Sequence, residues 1–212
     1  MALLVGSVAG FVGKRYWKWI LGGKASLAAM LFVLVVFTFA SVEASKTAPS
    51  NLALTDIPPV ALEAYLAADD HCNGLTWNVL AGIGKVESNH GRVFGGQIAA
   101  DGDVIPPIFG AALNGSGAGG NATPWPSGQW EGRWGLTGAW LRALGPMQFI
   151  SPSWAAFGED GNGDGRENPH NIFDGALSAA QLLCQSQGGE ITDISDALFA
   201  YNRSTELSLI HI

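Results

Sequence analysis

One acidic residue, Glu87, lies in the segment Leu75–Gly91 (LTWNVLAGIGKVESNHG), which reads as a helix. Leu80, Ile83 and Glu87 are spaced i, i+3 and i+7, so the carboxyl falls in line with the apolar stripe instead of on the solvated face. Desolvation there disfavours the charged form and raises the pKa, and a carboxyl that keeps its proton near neutral pH can act as a general acid. The alternative is a helix-end glutamate that bends out to solvent. Asp101, Asp103 and Glu131 are the candidates for a second acid, of the kind glycosidases use to hold water or attack the sugar.

Five tryptophans follow between residues 125 and 154: Trp125, Trp130, Trp134, Trp140 and Trp154. Flat aromatic faces stack on the apolar faces of sugar rings. Trp125 and Trp130, in a loop, are the expected ligand contacts, and Trp154, in a predicted helix, is expected in the core.

Asp160-Gly-Asn162-Gly-Asp164-Gly165-Arg166 matches the opening of a twelve-residue calcium loop, with oxygen ligands at positions 1, 3 and 5 and glycine at 6. Position 12 is Asn171, where a bidentate glutamate is expected, so a structural calcium would be weakly held unless Asp174 or Glu167 substitutes. The other reading is a turn that caps the next helix. No cofactor is otherwise required. His90 has no second ligand at metal spacing and reads as a helix-end residue complementing the helix dipole.

These groups need elements to position them. Apolar spacing predicts helices from about Pro58 to Asp69, through the Glu87 segment with Gly91 as its stop, from Asn171 through Cys184, and from Asp193 to Asn202. A further helix starts near Trp154, with Ser151 as N-cap and Pro152 as first helical residue. No alternating strand pattern of comparable strength appears, so the fold class is mainly α with long irregular connections. The stretch Gly95–Trp130 has no sustained periodicity, and loops this long are usually functional or disordered.

Residues 1–44 form an export signal or a retained membrane anchor. Ala25–Val42 is an uncharged run of 18 residues preceded by Lys14, Arg15, Lys18 and Lys24, and a basic flank stays on the cytoplasmic side. Residues 45–55 read as a linker and 56–212 as one domain, placed outside the cytoplasm either way. Without residues 1–44 the chain carries 7 basic against 17 acidic residues, a net of −10, which disfavours nucleic acid and anionic membrane surfaces as partners. Cys72 and Cys184 bracket most of the domain and read as a disulfide in an oxidising compartment, two buried thiols being the alternative.

Glu87-Ser88-Asn89-His90-Gly91, Gly145-Pro146-Met147-Gln148-Phe149 and Ala200-Tyr201-Asn202, in that order, resemble the active-site segments of lytic transglycosylases with a lysozyme-like domain. The likeness is nearest to the membrane-bound lytic transglycosylase B type found in actinobacteria, and it spans about Ile57 to Asn202. It implies a helical fold like goose-type lysozyme and cleavage of the MurNAc–GlcNAc β-1,4 bond of peptidoglycan to 1,6-anhydro ends, without added water. Glu87 would be acid and then base; Ser88, Met147 and Gln148 would contact the sugars, and Tyr201 and Asn202 would close the floor. Peptidoglycan strands would be the partner of a monomeric enzyme. Hydrolytic muramidase action, or wall binding without catalysis, are the alternative functions. Two departures stand out. The proline of Ile150-Ser-Pro-Ser-Trp154 is shifted from the family's Pro-Ser-Thr-Trp, and ten residues follow Asn202 where the family continues, so a truncated C-terminus is expected.

Overall fold

Apolar spacing sets where the helices lie, and caps and prolines set where they begin. The computed structural model describes residues 48–117 and 123–201; the N-terminal hydrophobic segment, Asn202 and the residues after it lie outside the described residues. Helix α1 (Asn51–Asp56) starts where the Ser50 side chain accepts the Ala53 N–H. It occupies part of the stretch expected to be a linker and buries none of its residues. In α2 (Pro59–Ala67) proline takes the first position, where its missing N–H would have had no helical partner anyway.

Helix α3 (Trp77–Ser88) carries the Glu87 segment. Its first N–H, from Trp77, is accepted at 2.6 Å by the Asp69 carboxylate instead of by the N-cap residue Thr76. Its stop is Asn89, in the left-handed region at φ 52°, shortly before the expected Gly91. Asparagine tolerates that region better than most residues, and this explains the earlier end.

Helix α4 (Ser151–Phe157) is capped by the backbone of Ile150, so Ser151 is a helical residue and not the N-cap. Its hydroxyl is buried without a hydrogen-bond partner among the described residues. Asn171 caps α5 (Ile172–Ser186) by accepting the Phe173 N–H at 2.9 Å, and α6 (Ile194–Tyr201) follows. The described residues are mainly helical, and among them no helix is long and apolar enough to cross a membrane.

Helix α5 is central, with α2, α3, α4 and α6 packed on it. Ile172, Ala176, Ala180 and Leu183 from α5 meet Tyr65, Leu80, Ile83, Trp154 and Leu198 in one buried core. Gly84 lets α2 and α3 approach closely: a Cβ there would lie 2.0 Å from the Tyr65 hydroxyl. Glycine to alanine inside a helix ordinarily stabilises by up to about 1 kcal/mol. At Gly84 the sign is expected to reverse, with Gly84→Ala losing about 1–3 kcal/mol in urea unfolding, because Tyr65 must move out of a packed site.

Cys72 and Cys184 form a disulfide with Cα atoms 6.0 Å apart, tying the α2–α3 connection to the end of α5. The alternative of two buried thiols is thereby set aside.

Strands β1 (Gln97–Ile98) and β2 (Val104–Ile105) pair antiparallel, Gln97 opposite Ile105. Beyond them the glycine-rich stretch has an order that its sequence does not announce. Segments near residues 109–114, 124–127 and 139–144 are joined by backbone hydrogen bonds, among them Leu113 N–H to Leu141 O, Trp125 N–H to Leu113 O and Leu141 N–H to Trp125 O, each at 2.8–2.9 Å. Leu136, Leu141 and Leu144 form a second small core beneath this ribbon, with Phe109, Leu113, Trp130 and Trp134 packed against it.

Candidate active site

The segment Gly145-Pro146-Met147-Gln148 forms a tight turn closed by reciprocal hydrogen bonds between Leu144 and Phe149, at 2.8 and 3.1 Å. Gly145 has φ 71°, and a Cβ on it would lie 1.6 Å from the Pro169 carbonyl oxygen, so no other residue fits. Gln148 also sits at positive φ, 52°, which is uncommon for a side chain of its length. Backbone strain of this kind gathers where surrounding structure holds a functional group in place. The Gln148 amide nitrogen donates to Gly145 O at 2.8 Å, and its amide oxygen faces Gly110.

Ser88 ties this turn to the end of α3. Its hydroxyl donates to Pro146 O at 2.6 Å and accepts the Gly91 N–H at 2.7 Å, and the residue is 2% exposed. Both its hydrogen-bonding roles are thus taken inside the protein, which corrects the expectation that it contacts a sugar. Met147 is corrected in the same way. Its side chain is fully buried against Gly175, and its carbonyl accepts the Tyr201 hydroxyl at 2.7 Å.

Glu87 comes from α3 and is half-buried, less enclosed than Leu80 and Ile83 on its own stripe. Its charge is felt at Tyr201. The Tyr201 phenol is pushed well above its usual pKa, first by burial and second by the Glu87 charge. Tyr201 also packs edge-on against Phe149, with ring centroids 5.6 Å apart. The 145–148 turn is thus bonded both to Tyr201, through Met147 O, and to the end of α3, through Ser88 beside Glu87, which brings three separated parts of the chain together. Asn202 lies outside the described residues.

Behind α3, His90 is 2% exposed and its Nδ1 lies 3.1 Å from the Tyr65 hydroxyl. Burial pushes the Tyr65 phenol up, so it is the donor and the imidazole accepts. Burial first, then the Arg92 and Lys85 charges, lower the His90 pKa to about 4, while Asp56 opposes them. His90 is therefore neutral at neutral pH and cannot serve as the charged dipole partner expected from its helix-end position.

A depressed folded pKa makes this contribution to stability complete above the unfolded value near 6.5 and lost as pH falls toward 4. Urea unfolding is expected to lose on the order of 2 kcal/mol across that window, a figure discounted for screening by Asp56 and solvent. His90→Gln keeps an acceptor for Tyr65 and should remove most of the slope. His170, whose pKa burial also lowers, adds slope of the same sign, and Asp69 and Asp174, whose pKa values burial raises, oppose it.

The two loop tryptophans differ. Trp125 is 41% exposed with its backbone fixed in the ribbon, so its ring is available. Trp130 instead packs on the small core, stacked with Trp134 at 6.0 Å, and the Arg133 guanidinium covers both rings. Of the acids weighed as second carboxylates, Asp103 accepts the Asn168 and Asn171 side-chain amides, each at 3.0 Å. Asp101 holds the Asp103 N–H, and Glu131 is exposed.

The calcium-like loop is closed by its own side chains. Asp160 accepts N–H groups from Gly163, Asp164 and Gly165, Asn162 accepts that of Asp164, and Asp164 accepts that of Arg166. Asn171, at position 12, uses its side-chain oxygen to cap α5 and its nitrogen to bond Asp101 O and Asp103. Asp174 is buried, and N–H groups of Gly161, Asn162 and Asn168 converge on its carboxylate. Burial pushes the Asp174 pKa up, and the N–H groups of Asn168, Gly161 and Asn162 oppose that rise. Among the described residues no three His, Cys, Asp or Glu side chains gather as a metal site.

The residue types alone did not point to Gly110 as a neighbour of Gln148, or to Arg142 as a partner of Gly110. Their one visible signal was position, on either side of the glycine-rich stretch and just before Gly145. Comparisons with protein-family models, with curated proteins and with solved structures returned no match.

Proposed function

We propose that this protein is an exported peptidoglycan lytic transglycosylase, with Glu87 as general acid and then general base. The observation that supports this reading is the strained Gly145–Gln148 turn, bonded to Tyr201 through Met147 O and, through Pro146 O, to Ser88, the residue after Glu87. A proton from Glu87 passes to the glycosidic oxygen as the bond from MurNAc C1 to that oxygen breaks. The C6 hydroxyl of the same sugar then attacks C1 and gives its proton to the Glu87 carboxylate, restoring the acid. No water is consumed, and the product ends in a 1,6-anhydro ring.

One carboxyl suffices because the nucleophile is tethered to the substrate. The engagement of Asp103 elsewhere is consistent with that economy. In this reading Gln148 and the open face of Trp125 contact the glycan, Ser88 and Met147 position the turn and Tyr201, and Asn202 follows by resemblance only. The lysozyme-like architecture, the monomeric state and the extracytoplasmic location, with residues 1–44 as signal or anchor, belong to the same proposal. No step passes through calcium.

The test is digestion of purified sacculi followed by mass spectrometry. Anhydro ends are expected. Reducing ends heavier by one water transfer the activity to a muramidase, and sacculi that bind the protein but release nothing make it a wall-binding protein.

A further inference from the structure

Beside the candidate active site lies a pocket of about 230 Å³ lined by Phe109, Gly135, Thr137 and Arg142. Arg142 Nη1 donates to Gly110 O at 2.8 Å, and Gly110 in turn abuts the Gln148 amide oxygen, which a Cβ at residue 110 would approach to 2.8 Å. The pocket is thus one backbone residue away from the side chain expected to contact the glycan. Its floor is firm. Phe109 packs on the His170 ring with centroids 4.9 Å apart, and His170 Nε2 pairs with Trp134 O at 2.9 Å.

Arg142 differs from Lys85, Arg92 and Arg133. Lys85 and Arg92 share Asp56, and Arg133 lies over two tryptophan rings. Arg142 is half-buried, and among the described residues it has the Gly110 carbonyl and no carboxylate. A guanidinium carries five donors in a planar fork that matches a carboxylate. The exported part has a net charge of −10, so an unmatched guanidinium lining a pocket is the place where an anion is favoured locally. The volume suits a substituent rather than a disaccharide.

We propose that this pocket is an anionic subsite in which Arg142 holds a carboxylate carried by the glycan strand, with Phe109 against the apolar atoms next to it. This rests on the reading that the groove takes peptidoglycan. The carboxylate is one carried by the attached peptide stem or, on a muramic residue without a stem, the lactyl carboxylate, which a stem otherwise holds as an amide.

Binding to soluble uncrosslinked strands is read by tryptophan fluorescence, using the whole chain in a Glu87→Gln background so that strands stay intact. Three probes are compared: strands bearing stems, strands stripped of stems by an amidase, and strands whose carboxylates are converted to amides. Arg142→Gln is expected to weaken binding to stem-bearing strands about tenfold or more, as loss of a charge-assisted pair corresponds to. It should change nothing on the amidated strands. A tenfold effect confined to stem-bearing strands assigns the stem carboxylates, and one that persists after stripping shows that the lactyl carboxylate freed by the amidase also enters the subsite. Equal weakening on charged and amidated strands, or none on either, overturns the subsite. If Arg142→Gln fails to fold, Arg142→Lys is read instead and should lose part of the preference for charged strands; full retention overturns the proposal. Strands bound but left uncleaved by the wild type overturn only the catalytic reading, whereas no binding by any form overturns both.

Discussion

Glu87→Gln is expected to abolish glycan cleavage, with a loss of about 10³-fold or more in the rate of muropeptide release. Glutamine matches glutamate in shape, so the packing of α3 against the 145–148 turn should persist. What disappears is the proton, and with it both halves of the proposed reaction, since one group gives a proton and later receives one. The adjacent Tyr201 cannot take over, because burial and the Glu87 charge hold its phenol well above its usual pKa and its hydroxyl is engaged with Met147 O. Removing the Glu87 charge relieves only the smaller of those two causes. A melting temperature within a degree or two of wild type, together with lost turnover, separates this chemical effect from unfolding. Wild-type turnover in the variant would take the reaction away from Glu87.

The largest expected effect on stability comes from the Cys72–Cys184 bond. It spans 112 residues of sequence and joins the entrance of α3 to the last turn of α5, the helix on which the others pack. Closing a loop of that length restricts the unfolded chain by on the order of 4 kcal/mol in the chain-entropy account. Replacing both cysteines by serine is therefore expected to lower the melting temperature by roughly 10 °C for a domain of this size. Calorimetry of the double variant, and of the wild type with and without reductant, checks it. A shift of only a degree or two would mean that the helices restrain the unfolded chain without the crosslink.

The two effects act on different links of the same construction. The disulfide and the Gly84 contact hold α2, α3 and α5 together, and that assembly sets where the end of α3 points. Ser88 then fixes the turn to α3 through Pro146 and Gly91, so Glu87 and Gln148 are aligned by a bond that neither of them makes.

Much of this was legible in the residues. Helical spacing located α2, α3, α5 and α6 to within a few positions, because an apolar stripe that must face a core repeats every turn whatever it packs against. Glycine at 145 and the order Glu87, Gln148, Tyr201 were equally plain. Burial was less so. Ser88 and Met147 read as ligand contacts, since a residue type does not say whether its polar atoms are already taken. His90 read as a charge, although its setting under Tyr65 keeps it neutral.

The amino-acid order by itself determined the helices and offered Glu87 as a candidate acid, because periodicity and residue type are local. Three matters were decided only in three dimensions: the ribbon and small core within the glycine-rich stretch, the closing of the calcium-like loop on Asp174, and the isolated guanidinium of Arg142. Each depends on hydrogen bonds or packing between residues distant in sequence, such as Leu113 with Leu141, Gly161 with Asp174 and Arg142 with Gly110. Such partners have no spacing that a linear pattern can record, since the loop between them carries no preference until the helices have fixed its ends.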